Sequence, residues 1–322
     1  MRSGPDYIQF YPTLRCNRSC EFCFNRDLLS VSDMSSRDCR ALFAGLQPLG
    51  VKTVDIIGGE PTMHPDIVRI ISDASFHGFS VNISSNGDDL GTLEEIVKTG
   101  GDVSLGISIN DRQTLDRCSA FIRKRKPAVK TVFSCGLDPG MIDEILALGP
   151  KQFYLIYRDA GRWEDLAAGL PFDRFLDAVQ RLSGTRNIGT VFCSGFIPDT
   201  KQYPELGTAR CPAGATKLGV MPDGSVYPCN LFFGKKEFFL GNILSDPFET
   251  IWSNPALDFF RAYSGNRCAE KACELHARCH GGCPAQSFLI SGDLAATDPR
   301  CSHADRHDLP TGALSRFHGF QY

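Results

Sequence analysis

Three thiols stand within eight residues in Cys16-Asn17-Arg18-Ser19-Cys20-Glu21-Phe22-Cys23, a C-x3-C-x2-C spacing. So short a spacing lets one loop wrap its sulfurs round a single iron-sulfur cube, but three thiolates satisfy only three of the four irons of a 4Fe-4S cluster. An iron left open is a place for chemistry, as an open position separates a catalytic zinc from a structural one. Zinc sites and disulfide-bonded loops use short cysteine spacings too, and the triplet alone leaves both open. A second set of thiols occupies the last third of the chain: Cys211, Cys229, Cys268, Cys273, Cys279, Cys283 and Cys301, with C-x4-C-x5-C-x3-C at its centre. Between the two sets lie three polar stretches that could meet a ligand. In Gly58-Gly59-Glu60-Pro61-Thr62 the glycines allow close backbone approach and Glu60 can receive an ammonium group, although the same string could be a turn that opens a helix. Ser84-Ser85-Asn86-Gly87 and Gly106-Ile107-Ser108-Ile109-Asn110-Asp111 read by themselves as an Asn-Gly turn and a helix N-cap. Arg158 and Arg162 in Tyr157-Arg158-Asp159-Ala160-Gly161-Arg162 could hold a carboxylate in a bidentate pair, or a structural salt bridge.

The elements that must position these residues follow a βα rhythm. From Tyr7 to about Ile197, short apolar runs alternate with amphipathic ones, which argues for a parallel sheet. Strands are expected over Tyr7–Tyr11, Thr53–Ile57, Ser80–Ser84, Val103–Ile109, Lys130–Ser134, Gln152–Tyr157 and Ile188–Phe192. Helices are expected over Ser36–Leu46, Pro65–Phe76, Leu93–Thr99, Gln113–Arg125, Met141–Leu148 and Phe172–Leu182. Six βα repeats are too few to close an eight-stranded barrel, so the expected α/β fold is an open, partial (β/α)6 TIM-like barrel. Its chemistry belongs at the C-terminal strand ends, and the cysteine triplet falls directly after the first strand. Beyond Ile197 the rhythm gives way to a Pro- and Gly-rich segment. There Met221-Pro222-Asp223-Gly224-Ser225, between alternating apolar residues, reads as a hairpin carrying Cys229 at the end of its second strand.

Composition narrows the class. With 322 residues, 42% hydrophobic, 22% charged and a net charge of -3, the chain reads as a soluble globular protein of one barrel-sized domain and a smaller one. It does not read as a general nucleic-acid binder. The basic run Arg123-Lys124-Arg125-Lys126 sits where a helix should end, and a solvated last turn accounts for it. No signal peptide and no membrane-spanning apolar run is seen, so a cytoplasmic address is expected. Fourteen cysteines in such a chain point to metal rather than disulfides, because the cytosol keeps thiols reduced. The scattered Cys39, Cys118, Cys135 and Cys193 read as buried small hydrophobes.

The triplet, with Phe22 directly before its third cysteine, resembles the signature of the radical S-adenosylmethionine (SAM) superfamily, in which the open iron is chelated by the amino and carboxylate groups of SAM. Gly58-Gly59-Glu60-Pro61, behind a strand, resembles that superfamily's motif for the SAM amino group. Ser85 and Asn86, with Ser108 and Asn110, resemble segments lining the SAM ribose and carboxylate. Asn110 stands where an aspartate is commoner, with Asp111 one place on. Arg158 is a further candidate for the SAM carboxylate. The seven later cysteines resemble the SPASM domain, as do Leu240-Gly241-Asn242-Ile243, Ile251-Trp252-Ser253 and Gly281-Gly282-Cys283-Pro284-Ala285. The x4 between Cys268 and Cys273 departs from the family's usual x2. The resemblance divides the chain into a barrel over 1–197, a SPASM domain over 198–310 and a tail over 311–322. It implies two auxiliary 4Fe-4S clusters, one on Cys211, Cys229 and Cys283, the other on Cys268, Cys273, Cys279 and Cys301. Seven ligands for two cubes leave one iron without a thiolate. A barrel residue such as Cys193, a non-cysteine ligand or a vacancy open to substrate would complete it, and the vacancy is the expectation.

By the same resemblance, an external one-electron donor of the flavodoxin or ferredoxin type reduces the cluster on Cys16, Cys20 and Cys23. The electron then splits SAM into methionine and a 5'-deoxyadenosyl radical, which takes hydrogen from a substrate. Relatives with the seven-cysteine module mostly modify peptides by crosslinking, oxidation or epimerisation, so a peptide or protein maturase is expected. The alternative is oxidation or decarboxylation of a small alcohol, sugar or porphyrin. A non-enzymatic three-cluster electron-transfer protein is a third reading, and it predicts no SAM pocket. Epimerases need a thiol hydrogen donor, for which Cys135 and Cys193 are the candidates. Only fifteen residues precede Cys16; the N-terminal leader-binding module of some relatives is therefore expected to be missing, and a separate protein can supply leader binding.

Overall fold

A computed structural model describes residues 4–134, 137–168, 174–175, 177–178, 188–191, 211–268, 272–273 and 280–301. Its strands are β1 (Tyr7–Phe10), β2 (Thr53–Ile56), β3 (Ser80–Ser85), β4 (Val103–Ser108), β5 (Ala128–Phe133), β6 (Gln152–Tyr157), β7 (Ile188–Val191), β8 (Lys217–Val220), β9 (Ser225–Tyr227) and β10 (Gly241–Asn242). They form one sheet in the order β10-β9-β8-β1-β2-β3-β4-β5-β6-β7. The sequential run from β1 to β5 is parallel, with Phe10 opposite Ile56, Ile56 opposite Ile83, Ser84 opposite Gly106 and Ser108 opposite Lys130. This is the unclosed βα barrel that the sequence rhythm anticipates.

The helices lie between the strands as expected: α1 (Ser36–Leu46), α2 (Ile67–Phe76), α3 (Leu90–Lys98), α4 (Arg112–Arg125) and α5 (Pro139–Ala147); a further helix, α6 (Trp163–Ala168), stands where the sequence pattern predicts none. In α1, Cys39, Leu42, Phe43 and Leu46 recur at helical spacing and are all buried. Ser35 caps that helix by accepting a hydrogen bond from the Asp38 amide at 3.1 Å. Three further helices start from aspartates at the C-terminal edge of the sheet: Asp89 caps α3, Asp111 caps α4 and Asp138 caps α5. Those caps explain why α3 and α5 begin three and two residues ahead of the expected Leu93 and Met141. The expected helix over Phe172–Leu182 falls mostly outside the described residues.

Strand alternation sorts the side chains into two faces. Phe10 meets Phe43 of α1 edge to face, with ring centroids 5.9 Å apart, so the buried Ile8, Phe10, Val54, Ile56, Val81 and Ile83 point toward the helices. The opposite face carries Gln9, Asp55, Asn82, Ser84, Gly106, Ser108 and Lys130. A polar face is what a barrel needs to hold a reaction rather than a core.

The hairpin expected at Asp223-Gly224 is present, with β8 and β9 antiparallel and Gly224 at φ +85°. Its attachment was not foreseen: β8 lies parallel on β1, with Tyr7 opposite Lys217 and Phe10 opposite Val220. The chain divides into two compact units, Met1–Thr131 with Asp138–Tyr154 and Pro212–Ala262, and Val132–Leu137 with Leu155–Cys211 and Tyr263–Tyr322. The short α7 (Phe248–Trp252) and α8 (Asp258–Ala262) belong to the first, and α9 (Pro284–Ser291) to the second. Trp252 is half-buried, stacked on Phe248 with the Arg261 guanidinium 4.6 Å from its ring centre, which makes it a surface clamp more than a core residue.

The packing of Phe43 against both Phe10 and Phe79 makes it a test of the sheet-to-helix core. Phe43→Ala is expected to lower unfolding stability by about 3–5 kcal/mol, read from urea midpoints. A loss below about 1 kcal/mol would mean that α1 is not packed on this sheet face.

Candidate functional site

The cysteine triplet leaves β1 as an exposed loop whose two ends are fastened. At its start, the Gly59 amide donates to the Thr13 carbonyl at 3.1 Å and the Glu60 amide to the Arg15 carbonyl at 2.7 Å. This zips the chain just before Cys16 to the loop after β2. The glycines are needed because the chain approaches itself: a Cβ on Gly59 would stand 2.0 Å from the Arg15 oxygen, and one on Gly58 2.5 Å from that of Thr13. Gly58 also sits at φ +139°, where side chains are strained. At the far end, Asn25 donates to the Gly58 carbonyl at 3.1 Å. Within the loop, the Cys23 amide closes a turn onto the Cys20 carbonyl at 3.0 Å, and Phe22 is half-buried. Arg15 grips Asp33 through the Nε and Nη2 edge of its guanidinium, and Nη2 also reaches the Met63 carbonyl.

Inside the triplet, Asn17 and Arg18 are held by Asp88. That carboxylate accepts from Arg18 at 2.8 and 2.5 Å and from Asn17 at 2.9 Å, and pairs with Arg117 of α4 at 2.5 Å. Asn86 donates to Asn17 at 2.8 Å and accepts from the Asp88 amide. The Arg18 guanidinium holds the Asp88 carboxyl below its ordinary range. Sequence reading missed Asp88; the one available signal was a cation inside the cysteine loop, which needs an anion from elsewhere in the chain.

Glu60 is 2% exposed. Its Oε1 accepts from the Thr62 amide and hydroxyl and from Ser85 Oγ at 2.8 Å, and its Oε2 accepts from the Asn86 amide at 2.7 Å. One carboxylate therefore joins the loops after β2 and β3, bringing together Gly58, Gly59, Glu60, Pro61, Ser85 and Asn86. No cation lies within ion-pair distance of it among the described residues, and Oε2 retains a lone pair. A buried anion in that condition fits a cationic ligand. Asp111 is taken up as the cap of α4, accepting from the Thr114 amide at 2.7 Å and lying 3.9 Å from Arg18. That leaves the half-buried Asn110 and Ser108 as the polar groups of the fourth strand end.

In the second unit, Arg158 is 6% exposed and lies 3.8 Å from Asp165, the structural pairing weighed for it in the sequence. Cys211 and Cys283 are buried and both push the Tyr263 phenol upward, after the larger effect of its own burial. Cys268 and Cys273 are half-buried, and burial first and then its neighbour Cys273 raise the Cys268 thiol. Cys301 is half-buried; Cys229, in the first unit, is buried two residues beyond β9. Cys135, Cys193 and Cys279 lie outside the described residues. Cys39 and Cys118 are fully buried, as expected of small hydrophobes.

Asp298 organises the loops round these thiols. It accepts from the Cys283 amide at 2.8 Å and from Arg300 at 2.9 and 2.7 Å. Arg300 in turn donates to the Arg158 carbonyl and to Asp159, and lies 4.7 Å over the ring of Tyr157.

Profiles of two families match the chain: the radical SAM superfamily over residues 10–151 and an iron-sulfur cluster-binding domain, SPASM, over residues 211–284. The chain belongs to the radical SAM superfamily and carries a SPASM domain. It is 27% identical to the PqqA peptide cyclase of Methylobacterium sp. (strain 4-46), over 92% of this chain and 85% of that one. It is 26% identical to the mycofactocin maturase MftC of Mycobacterium tuberculosis (strain CDC 1551 / Oshkosh), over 97% and 86%. Streptococcus suis SuiB bound to its precursor peptide SuiA shares the fold, with a TM-score of 0.72, 18% identity, and 93% of this chain and 76% of that one covered.

This radical SAM enzyme takes SAM and a 4Fe-4S cluster in its barrel and auxiliary iron-sulfur clusters in its SPASM domain. Its residues fit those groups. Three thiols without disulfide partners share one fastened loop beside the buried Glu60, which pairs with no cation among the described residues.

Two outcomes test this arrangement. Asp88→Ala should free the cysteine loop, raising tryptic cleavage after Arg18 about tenfold, the scale of a lost charge-assisted bond, with little change in the global melt. Because its carboxyl is lowered in the folded state, the tether is complete above the ordinary carboxylate pKa of about 3.9 and is lost as pH falls through the lower folded value. Asp298→Ala should cost about 3–5 kcal/mol by stranding the buried Arg300, measured by denaturant unfolding. Unchanged midpoints would mean that Arg300 is satisfied without it.

Proposed function

We propose that this radical SAM enzyme is a peptide or protein maturase, using hydrogen abstraction to crosslink, oxidise or epimerise residues of its substrate. The observation that carries the reading is end-to-end similarity to peptide-modifying enzymes: the chain spans 85% and 86% of the two curated relatives named above. The polar face of the sheet gives an extended substrate somewhere to lie. We assign the barrel function to 1–197, the SPASM function to 198–310 and a tail to 311–322.

The residue roles belong to the same proposal. Cys16, Cys20 and Cys23 hold the cluster with the open iron, and Phe22 packs beside it. When bound, that cluster and SAM supply a radical able to take hydrogen from an unactivated carbon. The chain's part is to orient and to exclude. Gly58, Gly59, Glu60 and Pro61 present the loop that receives the SAM ammonium; Ser85, Asn86, Ser108 and Asn110 line its ribose and carboxylate, with Arg158 a further carboxylate candidate. Cys211, Cys229 and Cys283 take one auxiliary cluster and Cys268, Cys273, Cys279 and Cys301 the other. Cys135 and Cys193 are the candidate hydrogen donors. The electron comes from an external flavodoxin- or ferredoxin-type donor.

Substituting Cys16, Cys20 and Cys23 together by Ala should abolish release of 5'-deoxyadenosine under anaerobic reduction, while the iron bound by the SPASM cysteines remains. Retained release would remove the assignment of these thiols. For the substrate, incubating the reconstituted enzyme with SAM, reductant and short peptides encoded beside its gene should change the mass of one of them. Cleavage of SAM with no peptide altered would sink the maturase reading and leave the superfamily assignment standing.

A further inference from the structure

The polar face of the sheet holds a cation that the site described above does not use. Lys130 of β5 stands opposite Ser108 in register and sends its ammonium group diagonally across β4 to Ser84 Oγ on β3. Gly106 makes that path possible: a Cβ there would lie 2.9 Å from Lys130 Cε and 3.4 Å from Nζ. The lysine is half-buried, and among the described residues no carboxylate lies within ion-pair distance of it. A hydroxyl satisfies one of its three N–H donors and none of its charge. Ser84 and Ser85 point to opposite faces of β3, since successive strand residues alternate. Ser85 is bound to Glu60, so the lysine and the Glu60 carboxylate hold opposite sides of that strand end.

A half-buried ammonium aimed along the polar face, with a glycine clearing its way, is a receptor for an anion. We propose that Lys130 is a specificity-determining residue that binds a carboxylate of the peptide substrate, an acidic side chain or a C-terminal carboxylate. This rests on the maturase reading, and it adds the chemistry of the residue that reading leaves open. The carboxylate displaces Ser84 from the ammonium and gains a charge-assisted hydrogen bond, which a neutral amide cannot match.

The test uses reconstituted enzyme with SAM bound and three blocked probes. N-acetyl-Ala-Glu-Ala-amide carries a side-chain carboxylate, N-acetyl-Ala-Ala-Ala with a free terminus carries a C-terminal one, and N-acetyl-Ala-Gln-Ala-amide carries neither. Calorimetric titration should show one acidic probe binding about tenfold tighter than the glutamine probe, and which of the two it is identifies the source. Lys130→Met should erase that preference, Lys130→Arg should keep it, and SAM affinity should stay within about twofold in both. Gly106→Ala, which crowds the lysine without removing its charge, should weaken the preference and guards against a Lys130→Met protein that fails to fold. Equal binding of all three probes overturns the inference alone. A tenfold loss of SAM affinity in Lys130→Met also overturns it, because the lysine would then serve the cofactor. If no probe binds while 5'-deoxyadenosine is still released, the maturase reading falls and takes this inference with it.

Discussion

Two backbone hydrogen bonds, from the amides of Gly59 and Glu60 to the carbonyls of Thr13 and Arg15, are the constraint on which the rest of the barrel site depends. They bring the start of the cysteine loop against the loop after β2 at a distance no side chain could survive. Everything functional at this edge is then placed by short tethers from that junction. Asn25 ties the loop's end back to Gly58, Asp88 holds its middle through Asn17 and Arg18, and Glu60 reaches on to Ser85 and Asn86. The loop has few buried apolar groups of its own, so hydrogen bonding and charge pairing must order it. Binding of a metal cluster would complete an ordering already begun, which lowers the entropy that ligation must overcome.

The later cysteines are ordered by a different balance. Round Cys283 a buried ion pair takes the place of a hydrophobic core, with Asp298 and Arg300 3% and 5% exposed and both engaged by backbone groups. Such a pair confers little net stability relative to apolar packing, but it fixes geometry, because each partner is intolerable without the other. Tyr263 and Asn266 extend the network to the Gly282 carbonyl and Ser287. The first unit, by contrast, rests on apolar layers between sheet and helices that owe nothing to a ligand.

What was legible in the sequence was whatever depends on local pattern. The strand of Gln152–Tyr157 and the helix of Ser36–Leu46 match residue for residue, because period and capping are written within a dozen neighbouring positions. The Gly-Gly-Glu loop and the cysteine triplet were legible as motifs, yet the purpose of the glycines was only half visible. Close approach was expected toward a ligand, and the structure shows it toward residues 13–15 of the same chain. Pairings made across long separations left no local trace. Asp88 meets Arg18 seventy residues away, and β8 adds to β1 across two hundred. The choice between Asn110 and Asp111 also needed coordinates, since either could cap a helix and only the observed bonds from Thr114 show that Asp111 does.

The chain solves one problem twice with the same device. Gly58-Gly59 precedes Glu60, and Gly281-Gly282 precedes Cys283; in each case the second residue type must be buried although it is polar or able to bind metal. A side-chain shell round such a group would occupy the volume that a ligand needs. Glycine instead lets a neighbouring stretch of the chain supply the wall: Thr13 and Arg15 for the first pair, and Asn266 and Asp298 for the second, each within 2.5 Å of where a Cβ would be. The group that follows is thereby shielded on one side by atoms that take up little room, and left available on the other. Positive φ at Gly58, Gly281 and Gly282 shows that the approach also demands a backbone conformation other residues resist. At those three positions both requirements coincide, whereas Gly59 answers to close approach alone.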